Sequence, residues 1–463
     1  MHPFGAKATA RAMWRWRGSA IAWGLALLCG VCGATPARGG EGGLLLATAW
    51  EMTLANNLTL QQQAAVLQQM QEELEIQRAG YLPTVTATGS WGYTSAVGRL
   101  ALPFAPAGAA ATEIETGTHN RYDLSVAVAQ PVFTGRRTRN LVDMVHAQSR
   151  AQTLRQAAVR NRLLEQVGQL YYQIQLNGLH QAGFAQAIAR TDRHLEKVRN
   201  FYLAAQTTAF DTLAVANRKL ELQGQVHMLR HAREALISRL AHALNVDALP
   251  QPVPPLRVET IDLDLAPVSH CQRLAAENRP ELRQMAHVLQ AESYHVEALR
   301  SPLFPQIYAS VAYHVGRPGV DVFHNQWMGY FVAGMTMRWQ VWTWRQDRRR
   351  VRKARLEHRR LDLEAQQQAL DIQQQVTEVY EQLQGLREQI AIQQALVRQE
   401  KERYRITQET YAQGHATSLD LSMAEHALTA AELTLQQRYA EWLQYRLQLN
   451  YVSGTLGQGL AGR

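Results

Sequence analysis

Cysteine is nearly absent: the 463 residues contain three, and two of them, Cys29 and Cys32, fall within the first 37. The remaining Cys271 has no partner for an intrachain bridge, which excludes a disulfide scaffold. Proline is missing from residues 132 to 249 and from 319 to 463, and only long helices make regular use of such stretches. Beyond residue 37 no segment is apolar over the roughly 20 residues that a membrane helix needs. Any passage through a bilayer therefore falls to strands. Also missing are a Ser, His and Asp constellation, a phosphate-binding glycine loop and a zinc signature. His227 and His231 stand four apart on a helical stretch with no third ligand near them, so an exposed pair is expected rather than a metal site. No enzyme activity, cofactor or bound metal is expected.

The first 37 residues differ from the rest. Lys7, Arg11, Arg15 and Arg17 precede an apolar run from Ala20 to Val31, and the small residues Gly33, Ala34 and Ala37 follow. This is the pattern of a secretory signal, with cleavage expected near Ala34 or Ala37. Removing its four basic residues takes the formal charge from +9 to +5. That mild excess gives no reason to invoke nucleic acid.

What is present is a duplication. Asn56, Leu60, Ala64, Val66, Leu67, Gln68, Glu75, Arg78 and Pro83 recur 222 positions on as Asn278, Leu282, Ala286, Val288, Leu289, Gln290, Glu297, Arg300 and Pro305. Val132-Phe133-Thr134-Gly135-Arg136 is echoed 209 positions on by Val341-Trp342-Thr343-Trp344-Arg345, and Asp211 by Asp420. A signal at 1 to 37 is followed by a first repeat at 38 to 249, a crossover at 250 to 269 rich in proline (Pro250, Pro252, Pro254, Pro255), and a second repeat at 270 to 463.

Each repeat contains two runs in which apolar residues alternate with others. Val85, Ala87, Gly89, Trp91 and Tyr93 share one face of the first run, and Tyr122, Leu124, Val126 and Val128 one face of the second. Ile307, Ala309, Val311, Tyr313 and Val315 do so in the third, and Trp327, Gly329, Phe331, Ala333, Met335, Met337 and Trp339 in the fourth. Thr336, Arg338 and Gln340 take the opposite, water-filled face. Alternation over about ten residues, with aromatics at the ends, fits strands of an outer-membrane barrel. Four strands cannot close one, since about eight is the minimum, so copies must combine. Loops are expected at about Ser95 to Glu115 and His314 to Gln326.

The proline-free stretches carry seven-residue repeats: Val376, Leu383, Ile390, Val397, Tyr404 and Tyr411, then after Gly414 the series Leu421, Leu428, Leu435, Trp442 and Leu449. Val215, Leu222, Leu229 and Leu236 do the same in the first repeat. Such periods mean helix supercoiled on helix, and the arm from Thr343 to Gln413 would span roughly 100 Å. Where the second arm begins, Arg345, Arg348, Arg349, Arg350, Arg352, Lys353 and Arg355 oppose the helix dipole. Either a solvated face or contact with anionic lipid headgroups accounts for them.

The order of these segments resembles the TolC-like outer-membrane efflux protein family over essentially the whole chain after the signal. Gln130-Pro131-Val132-Phe133-Thr134-Gly135-Arg136 is similar to that family's strand-to-helix junction, and Gly414 through Asp420 to Ala424 to its hairpin turn. The resemblance implies a mainly α protein with a β-barrel portion: a homotrimer whose twelve-stranded outer-membrane barrel continues into a helical periplasmic tunnel. It implies an exit duct for a tripartite efflux or type I secretion system. Hairpin tips at Ala205, Gln206, Gly414 and His415 would dock a periplasmic adaptor joined to an inner-membrane transporter, and Asp211 and Asp420 would ring the aperture. Two departures stand out, Ala205 in place of a tip glycine and Met423 three residues past Asp420. The alternative is a periplasmic coiled-coil adaptor or tether without a pore.

Overall fold

The computed structural model describes residues 43–101, 113–258 and 261–456; the expected signal segment lies outside them. Helices α1 (Leu46–Asn56) and α2 (Leu58–Ala79) lead into strand β1 (Thr84–Tyr93). A short ribbon of β2 (Gly98–Ala101) and β3 (Glu113–Thr116) precedes β4 (Asn120–Phe133), the 67-residue helix α3 (Arg137–Leu203) and α4 (Ala209–Leu244). The second half repeats the series with α5 (Val268–Asn278), α6 (Pro280–Ala298), β5 (Gln306–Arg317), β6 (Met328–Arg338), the 67-residue α7 (Gln346–Ala412) and α8 (Ser418–Val452). At 1.5 Å per residue, α3 and α7 each run about 100 Å.

The duplication extends to single backbone angles at corresponding places of the two repeats. Arg136 and Arg345, which open α3 and α7, have φ of 66° and 63°, and Ala205 and Gly414, which follow the same helices, have φ of 54° and 81°. Two chemically different residues take the left-handed conformation because the chain must reverse there into the returning helix.

Four strands form one antiparallel sheet in the order β1-β4-β5-β6. Register aligns Val85 with Val128, Val128 with Val311, and Val311 with Ala333. The next row on that face is Ala87, Val126, Tyr313 and Phe331. This apolar face is uncovered: Val85 is 68% exposed, Leu124 66%, Phe331 74% and Met335 69%. The other face carries Thr84, Thr86, Thr88, Ser90, Asp123, Ser125, Ser310 and His314, with Val332 as an apolar exception. Among the described residues β1 and β6 each have one neighbour and one open margin.

The structure corrects the loops. β5 continues through His314 to Arg317, so the second connection is shorter than the expected His314 to Gln326. The stretch from Ser95 to Glu115 contains the β2–β3 ribbon, held by pairing of Gly98 with Thr116 and by Arg99 against Glu115 at 3.7 Å. Its Ala, Pro and Gly content hid the pairing because so few residues a side take part.

The helices pack in an ordered series. α3 touches α2, α4, α6 and α8, whereas α7 touches α5, α6 and α8. One margin of this unit thus carries β1, α2 and α4, and the other β6 and α7. The seven-residue rows supply the seams: Val376, Leu383, Ile390, Trp442 and Leu449 share one buried cluster, and Leu421, Val215 and Tyr411 another. Asparagine at Asn57 separates α1 from α2 by accepting from Thr59 N–H, a cap favoured over continued helix.

Gly414→Ala should destabilise the second hairpin by roughly 1 kcal/mol, and Ala205→Gly should stabilise the first by roughly 0.5 kcal/mol. Hydrogen exchange of the flanking turns measures both; equal and same-signed changes would show that the left-handed angle does not govern these turns.

Candidate functional site

Two places gather the residues singled out by sequence: the hairpin ends far from the sheet, and the junction where sheet becomes helix. At the first hairpin end the N–H of Ala205 donates to Tyr202 O and that of Gln206 to Phe201 O, at 3.0 and 2.8 Å. At the second, Gly414 donates to Tyr411 O and His415 to Thr410 O, at 3.1 and 2.9 Å. Both satisfy helix-end carbonyls in the manner of a left-handed cap. A capping box then starts each return helix, Thr208 with Asp211 and Thr417 with Asp420.

These boxes engage the two aspartates. Asp211 Oδ2 accepts from the hydroxyls of Thr207 and Thr208 at 2.7 and 2.8 Å. Asp420 Oδ2 accepts from the Thr417 hydroxyl at 2.6 Å and its N–H at 2.9 Å. The Thr207 hydroxyl, then Thr208, holds the Asp211 carboxyl below its ordinary range, and the Thr417 hydroxyl does the same for Asp420. Gln206, Asp211 and Gly414 line one groove between the hairpin ends together with Tyr411 and Ser418. Asp420, Ala205 and His415 are not among its lining. Around them Leu203, Phe210, Leu213, Leu419 and Met423 are exposed, from 60% to 82%.

Sequence reasoning missed a buried polar seam between α3 and α8. Nε2 of His194 lies 3.2 Å from the Ser418 hydroxyl, and its ring meets Tyr411 edge-on at 5.4 Å. Burial pushes His194 down to about 4. Thr191 donates to Glu425 Oε1 at 2.5 Å, and Arg190 to Thr429 and Glu432, both at 2.9 Å. Burial raises the Glu425 carboxyl. The signal was available: Glu425 follows Leu421 by four residues, hence on its helix face, and a lone acid on an apolar row calls for a partner.

At the junction Trp339, Trp342 and Trp344 are 52%, 69% and 83% exposed, and Arg345 follows in the left-handed conformation. Asp347 is buried in the first turn of α7 and accepts from Arg350 at 3.3 Å, which offsets part of the unfavourable dipole. Arg348, Arg349, Arg352, Lys353 and Arg355 are exposed. Thr336 and Arg338 fall on the sheet face shared with Ser310 and His314, whereas Gln340 lies past the end of β6. Among the described residues no helix is long and apolar enough to cross a membrane, and no three His, Cys, Asp or Glu side chains are grouped to hold a metal.

An uncovered apolar sheet face joined to helices of such length is an arrangement with known relatives. The family model described as outer membrane efflux protein matches residues 49–244 and 272–455. The chain belongs to the outer membrane efflux protein family. It is an outer-membrane protein with its helical part in the periplasm. Its fold is similar to that of the outer-membrane channel OprN, at 18% identity and TM-score 0.73 over 89% of this chain and 90% of that one. The outer-membrane protein VceC of Vibrio cholerae matches at 14% identity and 0.71 over 88% and 96%. The MtrE outer-membrane channel of Neisseria gonorrhoeae, solved in an open state, matches at 18% and 0.67 over 89% of each chain. Among curated proteins none matches.

In this family member the capping boxes make the hairpin ends sensitive to acid. Because folding lowers both aspartate pKa values, their contribution is complete above the ordinary value of about 3.8 and is lost as pH falls through the lower folded values. Amide protection in the first turns of α4 and α8 should therefore drop below about pH 4. Asp211→Asn with Asp420→Asn should remove that dependence; a pH response unchanged by the double variant would refute it.

Proposed function

We propose that three copies of this chain close a twelve-stranded barrel and a continuous helical tunnel, forming the passive exit duct of a tripartite efflux or secretion system. The observation that carries this reading is the four-stranded sheet with an apolar uncovered face and two open margins. Open margins cannot remain in lipid. Two copies would give eight strands, whose interior side chains fill; three give the smallest ring with a bore. A pore-free tether leaves the apolar face without a role.

The polar sheet face, with Thr336 and Arg338, lines the bore, and Gln340 continues its wall below the strand. Substrates pass from an inner-membrane transporter through an adaptor that docks at the hairpin ends. Ala205, Gln206, Gly414 and His415 form the tips, and the exposed Leu203, Phe210, Leu419 and Met423 supply apolar contact area there. Asp211 and Asp420 place acidic groups at the narrow end, where threefold repetition favours cations. The caps that order these carboxylates also fix the shape of the aperture. At the junction, Arg345, Arg348 and Arg350 meet anionic headgroups just below the tryptophans, as charged residues do beside an aromatic belt.

Planar-bilayer conductance tests this directly. The purified protein should form channels that prefer cations, and Asp211→Ala with Asp420→Ala should reduce that preference at least about twofold, an order-of-magnitude expectation from removing the charge ring. Absence of any conductance would overturn the duct; unchanged selectivity would remove the aspartates from the aperture.

A further inference from the structure

The internal duplication gives a template for how one copy meets the next. Within the chain, α3 of the first repeat packs on α6 of the second, and β4 pairs with β5. The margins left open are their counterparts, α7 and β6 on one side, α2 and β1 on the other. Side-chain burial shows what is missing. Ala147 of α3 is 4% exposed, and its counterpart in the second repeat, Leu356 of α7, is 64% exposed. Ala298 of α6 is 6% exposed, and its counterpart in the first repeat, Ile76 of α2, is 62% exposed.

The charges on these two margins are complementary. Arg349 and Arg352 each stand two residues from a buried residue of the α6 seam, Val351 and Ala354, hence on the far side of the helix. Neither has an ion-pair partner among the described residues, as is true of Arg348, Lys353 and Arg355 in the same cluster, whereas Arg350, Arg359, Arg360, Arg403 and Arg405 are paired. Glu72 is exposed on α2, two residues from the half-buried Met70 and Leu74, and is likewise unpaired.

The levels agree. Gln152 donates to Gln63 at 2.9 Å, fifteen residues past the start of α3 and sixteen before the end of α2, so the two kinds of helix start and stop at one height. Arg352 lies six residues into α7 and Glu72 seven before the end of α2, about 9 and 10 Å from the junction.

We propose that Arg352, flanked by Arg349, pairs with Glu72 of the next copy, and that this contact sets the register in which β6 meets the neighbouring β1. The proposal rests on the ring described above and assigns its seam. Register is where specificity is needed, because a slip of one residue turns every apolar side chain of the strand inward. Asp143 and Tyr294 occupy the corresponding places of the seam within the chain and cannot make this ion pair. The charge therefore marks the seam between copies as different from the seam within one, and like charges brought together there would oppose wrong closure.

The test uses the full protein extracted from outer membranes, with assembly read by native mass spectrometry and bound phospholipid quantified. Arg349→Glu with Arg352→Glu should lower trimer yield about tenfold, and adding Glu72→Arg should restore most of it. In parallel, Glu72→Cys with Arg352→Cys should give covalent dimers and trimers on oxidation, a readout independent of charge-reversed folding. Reversal without loss of trimer overturns the proposal. So does a loss that Glu72→Arg does not repair, or one in which only anionic phospholipid is lost, which would assign the arginines to lipid. A wild-type protein that forms no oligomer would instead refute the ring itself, before any substitution is made.

Discussion

A strand at the margin of a sheet presents a row of N–H and C=O groups that water can satisfy and hydrocarbon cannot. This chain has two such margins, on β1 and β6, in a sheet whose one face is apolar and uncovered. In water that face would aggregate, and in lipid those margins would be intolerable. Pairing between copies removes the second difficulty, and the bilayer removes the first. Each large side chain of that face gains roughly 1.5 to 3 kcal/mol on leaving water, and each marginal peptide group regains a partner. Assembly and membrane insertion are therefore two halves of one solution.

The helices obey a different rule because both of their sides are wet. Seams such as Val376, Leu383, Ile390 and Trp442 are buried along one stripe, while Arg359, Arg360, Arg403 and Arg405 of α7 pair with acids three or four residues away on its surface. Such exposed pairs contribute little individually, but they leave the helix soluble on both sides. Nearer the hairpin ends, polar contacts join the apolar cluster of Leu195, Val198, Val215, Tyr411 and Leu421. His194 with Ser418 and Thr191 with Glu425 join one hairpin to the other by directed bonds as well as by area. Hydrogen-bonded contacts of this kind hold one arrangement and lose most of their value when displaced.

Much of this was legible in residue order. Alternation at Val85 to Tyr93 and at Ile307 to Val315 located strands because one face meets lipid and the other water. The seven-residue rows located the seams, since supercoiled helices keep one stripe together, and the 209-residue offset between the two helical hairpins matched even the capping boxes at Asp211 and Asp420. The β2–β3 ribbon escaped because strands that short leave no periodicity to detect. Gln340 was placed on the strand because alternation continued past the backbone pairing that ends at Arg338. The seam of His194, Thr191 and Glu425 escaped for another reason: its members come from different repeats, and only packing of α3 on α8 brings them together.

Hydrogen exchange of the outward-facing backbone amides of β1 and β6, in protein extracted from the outer membrane, tests the central claim most directly. Pairing between copies predicts protection on these strands as strong as on β4 and β5. Exchange as fast as in the connecting loops would mean that the margins stay open, and the account would be wrong.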